Sequence, residues 1–569
     1  MTPVAWDGMR GWLTLPPPHL PLREALVFLG AHGTEDMCSR HSLACLAQAL
    51  GQAGHAVLRV DLPGTGDALG DLLAPELWPT WVAGAASALA QLRAWSGAPH
   101  VGLVGLRLGA LVAEQAARLA HAQGAPVHSL ALLAPVLQGR QHLRELRALS
   151  DGGEALTVSG VVWGEPLQQG IAAIDLSKPA QPPPVQRVFL GVAHANKAMQ
   201  TVQSAWSAAL PLTTAPYGDL VAHIGHTTDS QTPLALWQAL TDWLAAGTTP
   251  TPAVAPPRLP GSALATEHGQ EDGWLLPSAV PLAGVLSLPH ACAANTPVVV
   301  LCNTGRNPHT GWARSWVHMA RQLAADGIPS LRFDIAGVGD SPPLPNPPPE
   351  LLYNDVSLPQ LGDAITQVLV RLGPRPVVLV GNCSGGYLAF HHAKADARVT
   401  HLLLTNVQRF VWTPGMSLEV ALRSATKSSD AYARLLLQPD TWRRLVGGQI
   451  DLRPIAAKFW RKAIRPWANA WGRLRRLAQR QAGAAPSNPR QGVQQGFLAM
   501  SDRGTQVCVL YSEDDGGRDE FASYFGANGQ GFARLAGARL QWVPQADHEF
   551  TSAHAQATLL KELWRLCAS

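Results

Sequence analysis

A chain of 569 residues exceeds what one hydrophobic core can hold, so two or more domains are expected. Hydrophobic residues make up 47% and charged residues 15%, which excludes a disordered chain, and a net charge of +4 over this length is no nucleic-acid signature. No apolar run approaches the roughly 18 residues of a membrane span, and residues 1–7 lack the basic and apolar segments of a secretory signal. The seven cysteines (38, 45, 292, 302, 383, 508 and 567) show neither C-x-x-C nor paired spacing. The expectation is reduced thiols in a cytoplasm, with no metal or other cofactor.

Taken in order, the chain repeats itself. Gly11-Trp-Leu-Thr-Leu-Pro16 is echoed by Gly284-Val-Leu-Ser-Leu-Pro289, and the apolar run at 25–29 by that at 298–301. Arg59-Val-Asp61-Leu-Pro-Gly64-Thr-Gly66-Asp67 returns as Arg332-Phe-Asp334-Ile-Ala-Gly337-Val-Gly339-Asp340. Gly105-Leu-Arg107-Leu-Gly109 returns as Gly381-Asn-Cys383-Ser-Gly385. The copies stay nearly in step from motif to motif, which predicts two tandem domains. Their expected bounds are 1–247 and 263–569, joined by a Pro/Thr-rich linker at 248–262.

In the second copy, strands are predicted at 298–301, 329–334 and 377–380, with helices at 315–325 and 358–372 between them. Such alternation implies a mostly parallel sheet with helices on both faces, an α/β class. At 377–380 the strand runs straight into Gly381-Asn-Cys383-Ser-Gly385-Gly386 and then a helical stretch. Strand, tight turn and helix are the setting of a nucleophile elbow, and the flanking glycines let both elements pass close to the apex. The apex is Cys383; Ser384 is the alternative nucleophile, though it would put Asn382 where the turn wants glycine. A Gly-rich turn with a buried structural thiol is the bland alternative.

These motifs resemble the α/β-hydrolase superfamily. The second copy, with Asn303-Thr304-Gly305 after its 298–301 strand, is similar to hydrolase-like proteins of bacterial exopolysaccharide and exosortase systems, and the first copy resembles a sister group from that setting. The superfamily's chain order of nucleophile, acid, histidine then selects its partners. A strand at 506–511 leads into Asp514-Asp515, of which Asp515 fits the family spacing and Asp514 is the runner-up. A strand at 540–544 leads into His548, at the family's general-base position. The resemblance implies oxyanion donors from the Ser384 amide and from the loop around Thr304 to Arg306. Cys in place of the usual Ser is shared with dienelactone hydrolases and polyester synthases. A thiolate activated by an imidazole and a helix N-terminus fits acyl transfer or ester and thioester hydrolysis through an acyl-cysteine.

The first copy reads differently. Arg107 at its apex is no nucleophile, His194 stands at the acid position, and His223 or His226 near the base position. It is expected to be catalytically inactive, either a structural duplicate or a copy whose Arg107 binds an anionic group. Between apex and acid the second copy carries extra length, a helical cap over about 409–500. This cap is rich in Trp and Arg, with Arg473, Arg475 and Arg476 as substrate-binding candidates. A basic face is often only solvated; here it would suit an acidic donor such as an acyl-CoA or acyl carrier protein, an anionic saccharide acceptor or a membrane surface. The rival from another class is a non-catalytic scaffolding protein of a polysaccharide system.

Overall fold

A computed structural model describes residues 1–152, 155–178, 180–251, 259–412 and 489–568. They fall into two compact units, Met1–Pro347 with Pro359–Arg375, and Pro348–Leu358 with Pro376–Ser569. The division therefore falls inside the expected second copy and not at 248–262.

The first unit opens on an eight-stranded sheet in the order Thr2–Trp6, Met9–Thr14, Ala56–Asp61, Ala25–Leu29, Val101–Leu106, Val127–Leu133, Val185–Val192, Leu212–Pro216. The first two pairings are antiparallel and the remainder parallel. Successive residues of a strand point to opposite faces, and here both faces are covered. Ala25, Val27 and Leu29 enter one core with helices Leu77–Ser96 and Leu108–Ala122. Leu26 and Phe28 enter the other with helices Thr34–Gln52 and Leu234–Ala246. Burial on both sides is why these strands read as continuous apolar runs instead of alternating ones.

Further along the same unit come Ala263–Thr266, Gly269–Leu276, Leu282–Pro289, Ser330–Phe333 and Val298–Leu301, paired in that order. Antiparallel neighbours again precede a parallel pair, as at the start of the chain. The second unit pairs Val377–Asn382, Val399–Thr405, Gln506–Ser512 and Ala538–Val543 in sequence, all parallel. Helices Ser384–Ala393, Gly517–Phe525 and Ala553–Cys567 follow three of these strands.

The two Arg-x-Asp motifs meet inside the first unit and exchange partners. Arg59 bonds Asp340, and Arg332 donates to Asp67 at 2.5 Å. Arg40 joins Asp61 (2.8 Å) to Asp340 (2.9 Å), while His309 joins Asp334 (2.6 Å) to Asp67 (2.7 Å). In each motif the last Asp amide also donates to the first Asp carboxylate, Asp67 to Asp61 and Asp340 to Asp334. The turn folds so tightly that a Cβ on Gly66 or Gly339 would lie 2.1 or 2.3 Å from that carboxylate, and both have positive φ. Glycine is required there on both counts.

Every member of this cluster is buried, and burial alone would strip the charge from His309. The carboxylates of Asp334 and Asp67 outweigh that burial and hold its pKa up at about 10. His309, Asp334 and Asp340 also lie close enough together to hold a cation. However, both imidazole nitrogens are spent on carboxylates and Asp340 carries two guanidinium contacts, so the arrangement is an ion-pair cluster.

His309→Leu should cost about 3–5 kcal/mol, since it leaves buried carboxylates short of a partner, measured by denaturant unfolding of the full chain. The raised His309 pKa means its contribution is complete below pH 6.5 and is lost as pH rises through about 10. Asp340 works from the other side. Burial opposes its charge, but Arg40 and Arg59 pull its pKa down to about 2, so its share is lost only as pH falls from 3.8 through that value. The unfolding midpoint of the wild type should accordingly fall between pH 8 and 10.5, and His309→Leu should flatten that slope.

Candidate functional site

The second unit brings Cys383, His548 and Asp515 together. Cys383 sits between strand Val377–Asn382 and helix Ser384–Ala393 with φ 52° and ψ −117°, a left-handed backbone that a side chain adopts only under constraint. The constraint is the close crossing of the two elements: a Cβ on Gly381 would meet the Gly385 carbonyl oxygen at 2.3 Å, and one on Gly386 would meet Val407 at 2.4 Å. The Cys383 amide donates to the Thr405 carbonyl at 3.0 Å, tying the apex to the neighbouring strand. The thiol, 7% exposed, thus stands at the N-terminus of a ten-residue helix.

Asp515 and His548 each follow the end of a parallel strand. Asp515 is buried and accepts three hydrogen bonds: from the Gly517 amide (2.7 Å), from Gln408 Nε2 (2.6 Å) and from His548 Nδ1 (2.6 Å). Asn406, on a positive-φ turn, ties the two strand ends together; its amide donates to the His548 carbonyl (2.9 Å) and to Ser512 Oγ (2.8 Å). With Nδ1 committed to Asp515, the other ring nitrogen is left for exchange with the Cys383 thiol. Desolvation pulls the His548 pKa down, but the Cys383 charge and the hydrogen bonds to Asp515 and Cys383 prevail and raise it well above the ordinary histidine range.

Of the two neighbouring acids, Asp515 is buried against the imidazole while Asp514 is exposed. Ser384 opens the helix directly after Cys383, so its amide is one of the helix's leading N–H groups. Thr304 and Arg306 belong to the first unit, beyond strand Val298–Leu301; Thr304 is buried, and Arg306 keeps a buried Nε without a hydrogen bond. Arg473, Arg475 and Arg476 lie outside the described residues, as does residue range 413–488 of the expected cap. At the described edges of that stretch, Arg409 pairs with Glu520 at 2.8 Å, and Phe497 of helix Pro489–Asp502 packs among Phe390, Phe410 and Phe521.

Two residues that no sequence motif marks complete the site. Gln408 donates to the Asp515 carboxylate and lies 3.3 Å from His548 Nδ1, holding the acid in place. Tyr353, buried and at φ 57°, sets its hydroxyl 3.6 Å from Cys383 Sγ. Its ring stacks on Trp412 (4.8 Å between centroids, 8° between planes) and meets Tyr387 edge-on at 5.4 Å. Burial first, and the neighbouring Cys383 charge second, push its pKa well above the usual phenol value, so the hydroxyl keeps its proton.

In the expected first copy, Arg107 and His194 line one cavity. Arg107 has φ 55° and ψ −115° and pairs with Glu35 at 3.1 Å. His223 is fully buried between Ser42 Oγ and the Tyr217 hydroxyl, each 2.5 Å away, and His226 accepts the Thr228 amide at 3.2 Å.

Replacing Asp515 by Asn removes what orients and charges His548. The rate of Cys383 alkylation by iodoacetamide at pH 6 should drop about tenfold or more, one pKa unit's worth, while Asp514→Asn should match wild type. Intact mass against time measures both.

Residues 299–560 match the family described as the alpha/beta hydrolase family. Similar solved structures include Est1E of Butyrivibrio proteoclasticus with ferulic acid bound, at 16% identity over 43% of this chain and 99% of that one, with a TM-score of 0.33. Another is a dienelactone hydrolase of Anabaena variabilis, at 11% identity, 53% and 97% coverage and a TM-score of 0.31. A third is an alpha/beta hydrolase of a Penicillium species, at 15% identity, 52% and 96% coverage and a TM-score of 0.30. At such scores the likeness says nothing of substrate. No curated protein matches the chain. On the family match, residues 299–560 are those of an α/β-hydrolase-fold hydrolase.

Proposed function

We propose that the chain cleaves or transfers acyl groups through a thioester formed on Cys383. The observation that carries this reading is His548, hydrogen-bonded to Asp515 and electrostatically coupled to Cys383, with the thiol at a strained apex. In the first half-reaction the Cys383 sulfur attacks the carbonyl carbon of an ester or thioester. The bond to the leaving alcohol or thiol breaks, and His548 gives that group its proton. In the second, His548 takes a proton from water or an acceptor alcohol, whose oxygen attacks the acyl carbon and returns Cys383. Asp515 fixes the imidazole tautomer and offsets its charge throughout.

The tetrahedral oxyanion of each step would be met by the Ser384 amide. Tyr353 is assigned to the thiolate, its hydroxyl donating to sulfur. The aromatic surface of Tyr353, Tyr387 and Trp412 would shelter an apolar acyl chain.

Residues 1–247 are read as an inactive copy of the same fold. Support comes from the matched strand order at the two starts and from the near-identical backbone at Arg107 and Cys383. The proposed donors are acyl-CoA or acyl carrier protein, and the resemblance to polysaccharide-system proteins favours a saccharide hydroxyl as acceptor. A free thiol nucleophile, and seven cysteines all unpaired, suit a reducing cytoplasm.

Incubation with acyl-CoA thioesters or p-nitrophenyl esters should give a protein heavier by one acyl group, lost on hydroxylamine treatment and never seen with Cys383→Ala. An adduct that persists in Cys383→Ala sinks the cysteine assignment. Tyr353→Phe removes the hydroxyl beside Cys383 Sγ and should change the rate of Cys383 alkylation by iodoacetamide at fixed pH; an unchanged rate would leave the tyrosine a packing role only.

A further inference from the structure

The first copy keeps the strained turn of a nucleophile apex but places a cation there. Gly105 and Gly109 make the same close crossing as their counterparts: a Cβ on Gly109 would lie 2.1 Å from the Gly30 carbonyl oxygen, and one on Gly105 2.4 Å from Ala110 Cα. Backbone held in this region costs free energy and persists where the surroundings over-determine it. Arg107 spends its Nε on both oxygens of Glu35, at 3.1 and 3.2 Å, and its Nη1 on the Ala134 carbonyl at 3.3 Å. Among the described residues its Nη2 has no hydrogen-bond partner.

Arg107 lines a cavity of about 300 Å³, at the lower end of the range of about 300–1,000 Å³ for ligand pockets. His142 lines it too. That ring is 95% buried, being 5% exposed, yet its Nε2 has no hydrogen-bond partner. Burial, and then the charge of Arg107, push its pKa down to about 3, so it stays a neutral imidazole able to present an N–H. A buried polar atom without a partner is costly and calls for an explanation. The rest of the wall is mixed: Gln138, Gln141, His194, Asn196 and the acid Glu145 on one hand, Val136, Leu137 and Met199 on the other.

We infer that this cavity binds a small carboxylic acid, one oxygen on Arg107 Nη2 and the other on His142 Nε2, its short alkyl tail against Val136, Leu137 and Met199. A guanidinium N–H beside a neutral ring N–H gives donors to both oxygens and no acceptor, which suits a carboxylate over an alcohol or an ammonium group. The volume limits the tail to a few carbons. Glu35 sits on Nε, leaving the outer nitrogen of the fork for the ligand. The inference does not rest on chemistry at Cys383.

The test is isothermal titration of the full chain with acetate, butyrate, hexanoate and the matched primary amides. One acid in the series should bind at least about tenfold more tightly than its amide. Arg107→Met and His142→Phe should each weaken it about tenfold or more while thermal melts stay two-sided checks on folding; if Arg107→Met fails to fold, His142→Phe decides. Cys383→Ala should bind as wild type. Equal affinity for acid and amide overturns the proposal. So does affinity unchanged in both cavity variants, or affinity lost in Cys383→Ala alone, which would place the acid at the other apex.

Discussion

Two arginines and two aspartates trade partners across the repeat. Arg59 answers Asp340, Arg332 answers Asp67, and Arg40 and His309 each bridge one aspartate from either motif. So many charges can be buried only because each has a counterion and the remaining lone pairs have hydrogen bonds. The same turns set the bases of the strands before Asp61 and Asp334, and so the level from which the neighbouring loops depart.

The site in the second unit follows a different logic. Strands Val377–Asn382, Gln506–Ser512 and Ala538–Val543 run parallel and end on the same side, each releasing one functional residue at its C-terminal end. Parallel alignment brings residues far apart in sequence within hydrogen-bond reach without any of them leaving a rigid element by more than a few residues. Asn406 and Gln408, on the intervening strand's exit, then fix the spacing between acid and base.

What the sequence could tell followed from this. Cys383 was legible because the elbow imposes glycines at fixed offsets, and His548 and Asp515 because apolar strands announce where each turn begins. The choice between Asp514 and Asp515 rested on a spacing habit; burial of one and exposure of the other is a tertiary matter that adjacent letters do not encode. Tyr353 and Gln408 left no trace, since a tyrosine or glutamine in a polar loop has no periodicity and no fixed offset. The repeated Arg-x-Asp-x-x-Gly-x-Gly-Asp was visible as a repeat, but nothing in either copy alone could reveal that its charges are matched to the other copy. The Trp- and Arg-rich stretch of 413–488 was read from composition alone, and it lies outside the described residues.

The exchanged ion pairs give the two copies a shared fate. Here Arg40 and Arg59 are counterions to Asp340, and Asp67 is the counterion to Arg332 and His309. A charge change in one motif can be tolerated only with a matching change in the other, so the two should evolve as a covarying pair across relatives. Excision of residues 1–247 would strip both guanidinium partners from Asp340 and leave Arg332 with Glu271 alone and His309 with Asp334 alone.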